Sequence, residues 1–481
     1  MKWVPSRYVV IPLIVACGLF MENLDSTVIS TALPSIAKSL NEDPLRLNLA
    51  ITSYLLSLAI FIPISGWMAD KFGARSVFRA AIVVFVLGSI FCGISNSLPE
   101  LVLARIFQGM GGAMMVPVGR LIMLRSIPKA QLVNAMSYLT VPALIGPVIG
   151  PPLGGFIVTY FNWRWIFFIN IPIGILGVIL VTKLIENIRE ENVPKLDLRG
   201  FALVGLCLAG LVFGFETVGR GALPLWITIA LLVGGALCAG LYAWHAKGRS
   251  DPAVDFSLMR FPTFRGSVCG GFLFRAGIGS MPFLLPMMLQ LGFGMSALSS
   301  GLLTFASAAG AMTMKITAGP IIRSVGFRRI LIFNAVISAG FLISYSQFGP
   351  STPHTIIFLA LLVGGFFRSL QFTSVNTLGY ADIPPALMSR ATSFSSMSQQ
   401  LSLSVGVGIG ALALHLTLLF HGSGAVGASD FVPAFITVGL VSMSSLIFFL
   451  QLPADAGAEV SGHRRQEKIE RVAELEKQAA E

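Results

Sequence analysis

The sequence predicts an all-α integral membrane protein with fourteen membrane-spanning helices. Of its 481 residues, 55% are hydrophobic and only 11% are charged, and the mean hydropathy is +0.81. A soluble chain would carry about 25% charged residues. The apolar residues gather into stretches long enough to cross a bilayer, which takes about 20 residues. Because backbone groups in lipid must pair within their own segment, we expect these stretches to be helices.

The predicted spans follow one another with short connections. They cover 8–37, 46–69, 77–96, 99–124, 132–159, 164–184, 199–218, 224–245, 266–290, 296–321, 328–347, 354–378, 391–418 and 430–452. Lys and Arg collect on one side of this topology, and the other side has only Lys38, Arg46, Arg164 and Arg220. Since cytoplasmic loops carry the excess of positive charge, we predict cytoplasmic termini in a plasma membrane, the inner membrane of a bacterium.

Charge and cysteine content argue against several functional classes. The net charge is +11, but its distribution over alternate loops argues against nucleic acid as a partner. The five cysteines lie in apolar spans with neither disulfide nor metal spacing, which favours small buried hydrophobes. The sequence has no Walker A loop, HExxH or GxSxG motif. We therefore predict no metal, no cofactor, no use of ATP and no enzymatic activity.

Two carboxylates lie inside the first predicted span. Glu22 and Asp25 are one helical turn apart, so they share a face. An ionisable group at membrane depth is costly, and its usual use is to bind and release protons or cations. Burial and the neighbouring carboxylate both favour the protonated form. Arg105 of the fourth span lies at a similar depth, so the alternatives are a structural ion pair with Arg105 or a cavity-facing acid that stays ionised.

The chain contains an internal repeat, as many transporters do. Matching pairs are Gly66 with Gly319, Gly73 with Gly326, Arg105 with Arg368, and Gln108 with Gln371. By the same offset, Arg275 is the approximate mate of Glu22. The offset is larger than six helices need, so spans seven and eight are predicted to be an inserted pair. We expect a six-helix bundle at 1–185, the pair at 186–250, a second six-helix bundle at 251–455 and a charged cytoplasmic tail at 456–481.

Five stretches resemble the signatures of one transporter family. They are residues 24–34, 66–75, 103–113, 146–155 and 163–174. In this order they are similar to motifs of the major facilitator superfamily, specifically its fourteen-span drug:proton antiporters of the EmrB/QacA type. The run 112–120 also resembles the MdtD/HsrA-like exporters of that group. The resemblance implies the major facilitator fold, with two six-helix bundles and two inserted transmembrane helices.

The resemblance also implies roles for the residues that match its motifs. Asp25 matches the membrane acid of the family and Arg105 the residue that shifts its proton affinity, whereas Glu22 maps onto no shared motif. A conformational latch is implied for Gly66, Asp70, Gly73 and Arg75. A sealing hinge is implied for Gly146, Pro147, Gly150, Pro151, Gly154 and Gly155, and close helix packing alone is the alternative.

Polar residues at membrane depth are candidates for a substrate cavity. These are Gln108, Arg275, Arg368, Gln371 and Asn376. Basic residues there would favour anionic or zwitterionic groups, or would hold partner acids. Lys315 lies near the inner end of the tenth span, where it either lines the cavity or extends its long stem to carry the amine to the interface.

The resulting expectation is a monomeric, proton-coupled exporter of drugs or other amphiphilic small molecules. It would work by alternating access in the bilayer, with protons and substrate as its partners. One alternative is a dedicated exporter of an endogenous anionic or zwitterionic metabolite or lipid-like amphiphile. Another is a membrane enzyme or a non-transporting sensor, against which the missing catalytic motifs argue.

Overall fold

The computed structural model describes residues 7–42, 47–191, 193–217, 223–249, 251–295, 297–421 and 427–461. Within these ranges the secondary structure is helical, with no strand. Thirteen helical stretches in these ranges are long and apolar enough to cross a membrane. The tenth predicted span is a further helix of 29 residues, which carries Lys315 and Arg323. The predicted all-α membrane fold is therefore confirmed.

The first six spans are built from eight helices. They are α1 (Arg7–Leu40), α2 (Asn48–Phe61), α3 (Ser65–Phe72), α4 (Ala74–Ile94), α5 (Leu98–Ser126), α6 (Leu132–Tyr160), α7 (Trp165–Phe168) and α8 (Asn170–Leu184). A single 3-10 turn, Ile62–Ile64, separates α2 from α3. Pro63 lies in this turn, and its missing N–H accounts for the local break in the helix.

The inserted pair and the last six spans follow. They are α9 (Leu198–Thr217), α10 (Leu225–Ala246), α11 (Pro262–Arg265), α12 (Gly271–Gly279), α13 (Met281–Met287), α14 (Ala297–Val325), α15 (Phe327–Ser344), α16 (His354–Leu378), α17 (Met388–His421), α18 (Phe431–Ser444), α19 (Leu446–Leu450) and α20 (Ala458–Ser461).

The ninth span, predicted as one helix over 266–290, is interrupted. It runs from Pro262 to Gly292 and contains two π-helical turns, Gly266–Gly270 and Met288–Gly292. The second turn follows Pro286, which cannot donate a backbone hydrogen bond. Such turns widen a helix locally and often accompany functional sites.

Two glycines make equivalent turns in the two halves. Gly73 lies between α3 and α4 with φ +88°, and Gly326 lies between α14 and α15 with φ +80°. Positive φ is costly for residues with a Cβ, so these turns favour glycine. The repeat seen in the sequence is thus also a repeat of backbone geometry.

Helix packing groups the spans into two halves with the inserted pair beside them. In the first half α1 packs on α5, α6 and α8, and α4 packs on α5 and α8. In the second half α14 packs on α16, while α12 packs on α17 and α18. The helix α9 of the inserted pair contacts α10, α2 and α17, and therefore both halves. The exact domain boundaries at 185, 250 and 455 remain predictions, and the predicted tail lies outside the described residues from 462 onwards.

Candidate functional site

Asp25 lies at the centre of a closed hydrogen-bond network. Its Oδ2 accepts from Arg105 Nη1 at 2.5 Å. Its Oδ1 accepts from Gln108 Nε2 at 2.9 Å and from Asn170 Nδ2 at 3.0 Å. The amides of Gln108 and Asn170 also donate to Ser89 Oγ, at 2.8 and 3.1 Å. Both oxygens of this buried carboxylate are thus satisfied, and the network joins α1, α4, α5 and α8.

Arg105 is fully buried and held from three sides. Its Nε donates to the backbone oxygen of Ala50 at 3.0 Å, and its Nη1 donates to Gln108 Oε1 at 2.6 Å as well as to Asp25. The guanidinium carbon lies 4.2 Å from the centre of the Tyr54 ring, which adds a cation–π contact. The ion pair therefore ties helices together, and removing one partner would leave an unpaired buried charge.

Glu22 differs from Asp25, although the two are one turn apart on α1. Its Oε2 is buried and has no hydrogen-bond partner among the described residues. Its side chain lines a chamber of about 270 Å³, which Arg120, Lys315, Asn376 and Gln399 also line. Burying a charged group without a partner is expensive. Glu22 is therefore the acid of the pair that faces open space and can gain most from a proton or a cation.

A larger cavity of about 900 Å³ lies between the two halves. Ser26 and Leu55 line it from the first half, and Ile278, Met281 and Leu285 line it from the second. The two cavities adjoin, since they share Thr140, Lys315, Phe372, Gln400 and Leu403. A concave, mostly apolar space with a few polar groups is the usual form of a small-molecule site.

Basic side chains of the second half border this space with neutral partners. Lys315 is 4% exposed, and its Nζ donates to Thr373 Oγ1 at 2.5 Å. Arg368 lines the larger cavity and donates to Ser307 Oγ at 2.9 Å. Of the two places open to Lys315, the structure agrees with the cavity and not with the interface, because α16 packs over α14 and buries the amine.

Two further arginines lie near the chamber. Arg275 is 2% exposed, and its Nη2 donates to Asn376 Oδ1 at 2.8 Å. Arg120 crosses between the halves, donating to Tyr380 Oη at 3.2 Å and to Gln399 Oε1 at 3.4 Å. Their partners are therefore also neutral.

Two of the predicted latch residues, Gly66 and Asp70, lie where the two halves meet, on the side that carries the termini. Asp70 accepts from Ser389 Oγ of α17 and from Arg125 Nη2, the latter at 2.9 Å. Arg125 also pairs with Glu190 at 2.8 Å. Gly66 packs directly on the α17 backbone, since a Cβ there would lie 2.6 Å from the Ser389 oxygen. The contacts close this side of the protein.

Other hydrogen bonds strengthen the same closure. Ser65 Oγ lies 2.9 Å from Ser393 Oγ, and Lys129 Nζ donates to the backbone oxygen of Ala381 at 2.7 Å. Arg75, by contrast, stays within the first half and donates to the Ile185 oxygen at 3.3 Å. A Cβ at Gly73 would overlap the side-chain amide of Asn187, in the segment that leads to the inserted pair.

The segments around the inserted pair brace this side of the protein. Trp67 Nε1 donates to the Pro194 oxygen at 2.9 Å. At the other end of the pair, Arg390 of α17 binds Asp251 at 2.7 Å and Asp255 at 3.1 Å.

Asp197 joins the two ends of the pair. It accepts from His245 Nε2 at 3.0 Å and from Arg249 Nη1 at 3.1 Å. Burial opposes ionisation of Asp197, but the hydrogen bonds from His245 and the Gly200 amide outweigh it and lower the pKa of this carboxyl.

The Gly/Pro run of α6 packs on α1, but unevenly. A Cβ at Gly146 would lie 3.0 Å from the Leu24 nitrogen, and one at Gly150 would lie 2.9 Å from Thr27 Cβ. Gly154 is buried and Pro147 half-buried, while a Cβ at Gly155 would meet nothing within 4 Å. The side chain of Pro151 lies outside the described side chains. Close approach to the helix that carries Glu22 and Asp25 is therefore seen at Gly146 and Gly150, and not at Gly155.

The candidate cavity residues are not all at the cavities. Arg368 and Asn376 line the cavities. Gln108 belongs to the Asp25 network, whereas Gln371 contacts α15, where its Oε1 accepts from Asn334 at 3.1 Å. Arg275 reaches the chamber through Asn376.

Sequence reasoning missed Asn170, Ser89, Arg120 and Gln399 as members of the site. A polar Asn170 within an apolar run was the only available signal for the first of these. Arg120 and Gln399 were not singled out because single basic or amide residues in a span give no indication of which face they occupy.

Comparison with known proteins agrees with this architecture. Residues 15–407 match the family model of the Major Facilitator Superfamily. The chain is 42% identical over 389 residues to proteins named "Putative multidrug resistance protein MdtD" in Salmonella newport and Salmonella typhimurium, covering 81% of this chain and 83% of each relative.

Solved structures with the same fold were also found. The human organic anion transporter MFSD10 (TETRAN) has a TM-score of 0.67 at 16% identity, over 93% of this chain and 100% of the other. The proton:xylose symporter XylE has a TM-score of 0.65 at 16% identity, over 96% of this chain and 100% of the other. At this identity they show the fold alone. The chain belongs to the major facilitator superfamily.

Proposed function

We propose that this transporter is a proton-coupled exporter of amphiphilic small molecules that works by alternating access. The observation that carries the proposal is the buried carboxylate of Glu22, which has no described partner for its Oε2 and lines a chamber between the two halves. A group that is costly as an unpaired ion is stabilised either by a proton or by a cationic substrate. The two ligands then exclude each other, which is the requirement for exchange.

Asp25 and Arg105 have a positioning role in this mechanism. Both carboxylate oxygens of Asp25 are occupied, and Arg105 bridges to the α2 backbone at Ala50. The network holds α1 against α5 and α8, so it fixes the depth at which Glu22 enters the chamber. Asp25 also adds a negative charge one turn away, which favours protonation of Glu22.

The cycle follows from the contacts on the side of the termini. With Asp70 bound to Ser389 this side is closed, substrate leaves to the opposite side, and Glu22 takes up a proton. Loss of the charge removes the cost of closing the cavity around it. The latch then opens, the proton leaves, and substrate binds from the side of the termini. Bending within the first half during this motion would centre where α6 packs closely on α1, at Gly146 and Gly150.

The cavity and the relatives support amphiphilic substrates. The larger cavity is lined mainly by apolar side chains, including Met281, whose flexibility suits varied ligands. Relatives that share 42% of their residues carry a name that refers to multidrug resistance. We place the protein in a bacterial inner membrane as a monomer with both termini in the cytoplasm, so that inward proton flow drives export.

A dedicated exporter of an endogenous metabolite is the second candidate. It is favoured by Lys315 and Arg368, which border the cavity and donate to the neutral hydroxyl groups of Thr373 and Ser307. Cells lacking the gene would then keep their resistance profile but fail to export one metabolite, whereas a drug exporter would show a changed resistance profile.

Flux in proteoliposomes tests the proposal. A panel of cationic, neutral and anionic amphiphiles should include compounds that move only when a pH gradient is imposed, and a protonophore should abolish that movement. Protein-dependent flux that ignores the gradient would refute proton coupling. A complete absence of flux and proton movement would instead favour a sensor or an enzyme.

A further inference from the structure

The chamber between the halves contains opposite charges that are not paired with each other. Glu22 borders it from α1, and Lys315 borders it from α14. No ion pair joins Glu22 to a described base, and the amine of Lys315 instead binds the hydroxyl of Thr373 at 2.5 Å. Beyond Lys315, Arg368 borders the adjoining cavity and binds the hydroxyl of Ser307.

In this arrangement the free-energy cost of burying a charge is largely uncompensated, both for Glu22 on one wall and for Lys315 and Arg368 on the other. A hydroxyl compensates a buried ammonium or guanidinium only in part, and a carboxylate or similar anion would do so better. On the opposite wall, only a proton or a cation compensates Glu22. The two needs are separated in space, since Glu22 belongs to the first half and Lys315 and Arg368 belong to the second. Arg120, the base of the first half at this chamber, already donates to Tyr380 and Gln399.

We infer that the preferred substrate is a zwitterionic amphiphile, with its cationic group at Glu22, its anionic group at Lys315 and Arg368, and its apolar body in the larger cavity. The inference rests on the proposed function, because it names the substrate class of the same site. Such a molecule compensates both walls at once, and its two charges join the two halves.

The charge of the ligand also determines whether its binding releases a proton from Glu22. The titratable and charged groups around Glu22 are Asp25 on its own helix, Tyr54 on α2, Arg105 and Arg120 on α5, and Lys315 across the chamber. A cationic group replaces the proton on Glu22, so binding releases a proton. A purely anionic ligand binds best when Glu22 is protonated, because an ionised Glu22 repels it, so its binding releases none. A zwitterion combines proton release with the extra attraction of Lys315.

Three probes with one aromatic body separate these cases. They are aminomethyl-naphthoic acid, its methyl ester, which is only cationic, and its N-acetyl derivative, which is only anionic. Binding to the purified full chain is followed by naphthalene fluorescence and by proton release in weak buffer. We expect the zwitterion to bind roughly tenfold or more tightly than the ester, since a charge-assisted hydrogen bond distinguishes them. Both should release a proton, and the N-acetyl derivative should release none.

Lys315→Met tests the anionic end of the site. It should remove the preference for the zwitterion over the ester, taken as the ratio of their dissociation constants in the variant. Elution of the purified variant as a single peak in detergent shows that it is folded. Lys183→Met, on the exposed end of α8, is the matched control and should change nothing.

Two outcomes would overturn the inference. One is equal binding of zwitterion and ester to the unaltered protein, and the other is an unchanged preference in Lys315→Met. If the ester or another cationic amphiphile still releases protons, the proposed exchange function stands and only the substrate class is wrong. If no amphiphile of any charge releases a proton, the exchange function itself fails.

Discussion

Substitution of Gly66 tests how the two halves close on the side of the protein that carries the termini. An added Cβ would lie 2.6 Å from the Ser389 backbone oxygen and 2.7 Å from Ser393 Oγ. The serine hydroxyl can rotate away, but the α17 backbone has to shift. Overpacking of this kind costs about 1–3 kcal/mol. Because the contact joins the two halves, Gly66→Ala should destabilise only the closed state, and should move the ratio of closed to open molecules roughly 5- to 150-fold towards open.

Double electron–electron resonance measures the distribution of distances between two spin labels, and this distribution gives the ratio of closed to open molecules. Labels at Lys71→Cys and Ala386→Cys, both exposed and on opposite halves, report the gap in a background that lacks the five native cysteines. Gly340→Ala is the control, since a Cβ there meets nothing within 4 Å. Unchanged distance distributions in Gly66→Ala would refute the assignment of this contact to the closed state.

Four further predictions concern the network, the hinge and the inserted pair. Arg105→Ala should lower stability by about 3–5 kcal/mol in denaturant unfolding because Asp25 loses its charge partner, and Arg105→Lys should lose less. Gly150→Ala should slow transport by crowding α1, while Gly155→Ala should leave the flux unchanged. The bonds of Asp197 to His245 and Arg249 should persist at pH values above the unfolded carboxyl pKa of about 3.9, and should weaken as the pH falls through the lower pKa of the folded state. Hydrogen exchange of the backbone amides at the start of α9 measures this weakening. Asp197→Asn should remove that acid dependence.

The sequence was sufficient for the spans and for the depth of the charged groups. Hydropathy and the distribution of Lys and Arg predict the helices, and Gly73 and Gly326 mark matching turns because positive φ favours glycine. The similar depth of Asp25 and Arg105 suggested a pair, and the structure brings them within 2.5 Å.

The different surroundings of Glu22 and Asp25 could not be predicted from the sequence. Glu22 and Asp25 share one face of α1 by sequence spacing, but α5 and α8 cover only the second of them with polar partners. Which side chains meet there depends on helix rotation and on Asn170, whose partner is 145 residues away. The sequence left two places open for Lys315 for the same reason, since its burial depends on α16 rather than on its own helix.

The central claim is that Glu22 exchanges its proton for substrate. The most direct test is to measure proton release when substrate is added. It is measured in detergent and weak buffer, with a compound that moves in the proteoliposome assay. Glu22→Gln should abolish the release while the protein stays folded, because the amide cannot give up a proton. Asp25→Asn should lower stability and retain release. Full release from Glu22→Gln, with none from a folded Asp25→Asn, would contradict the account and make Asp25 the exchanging acid.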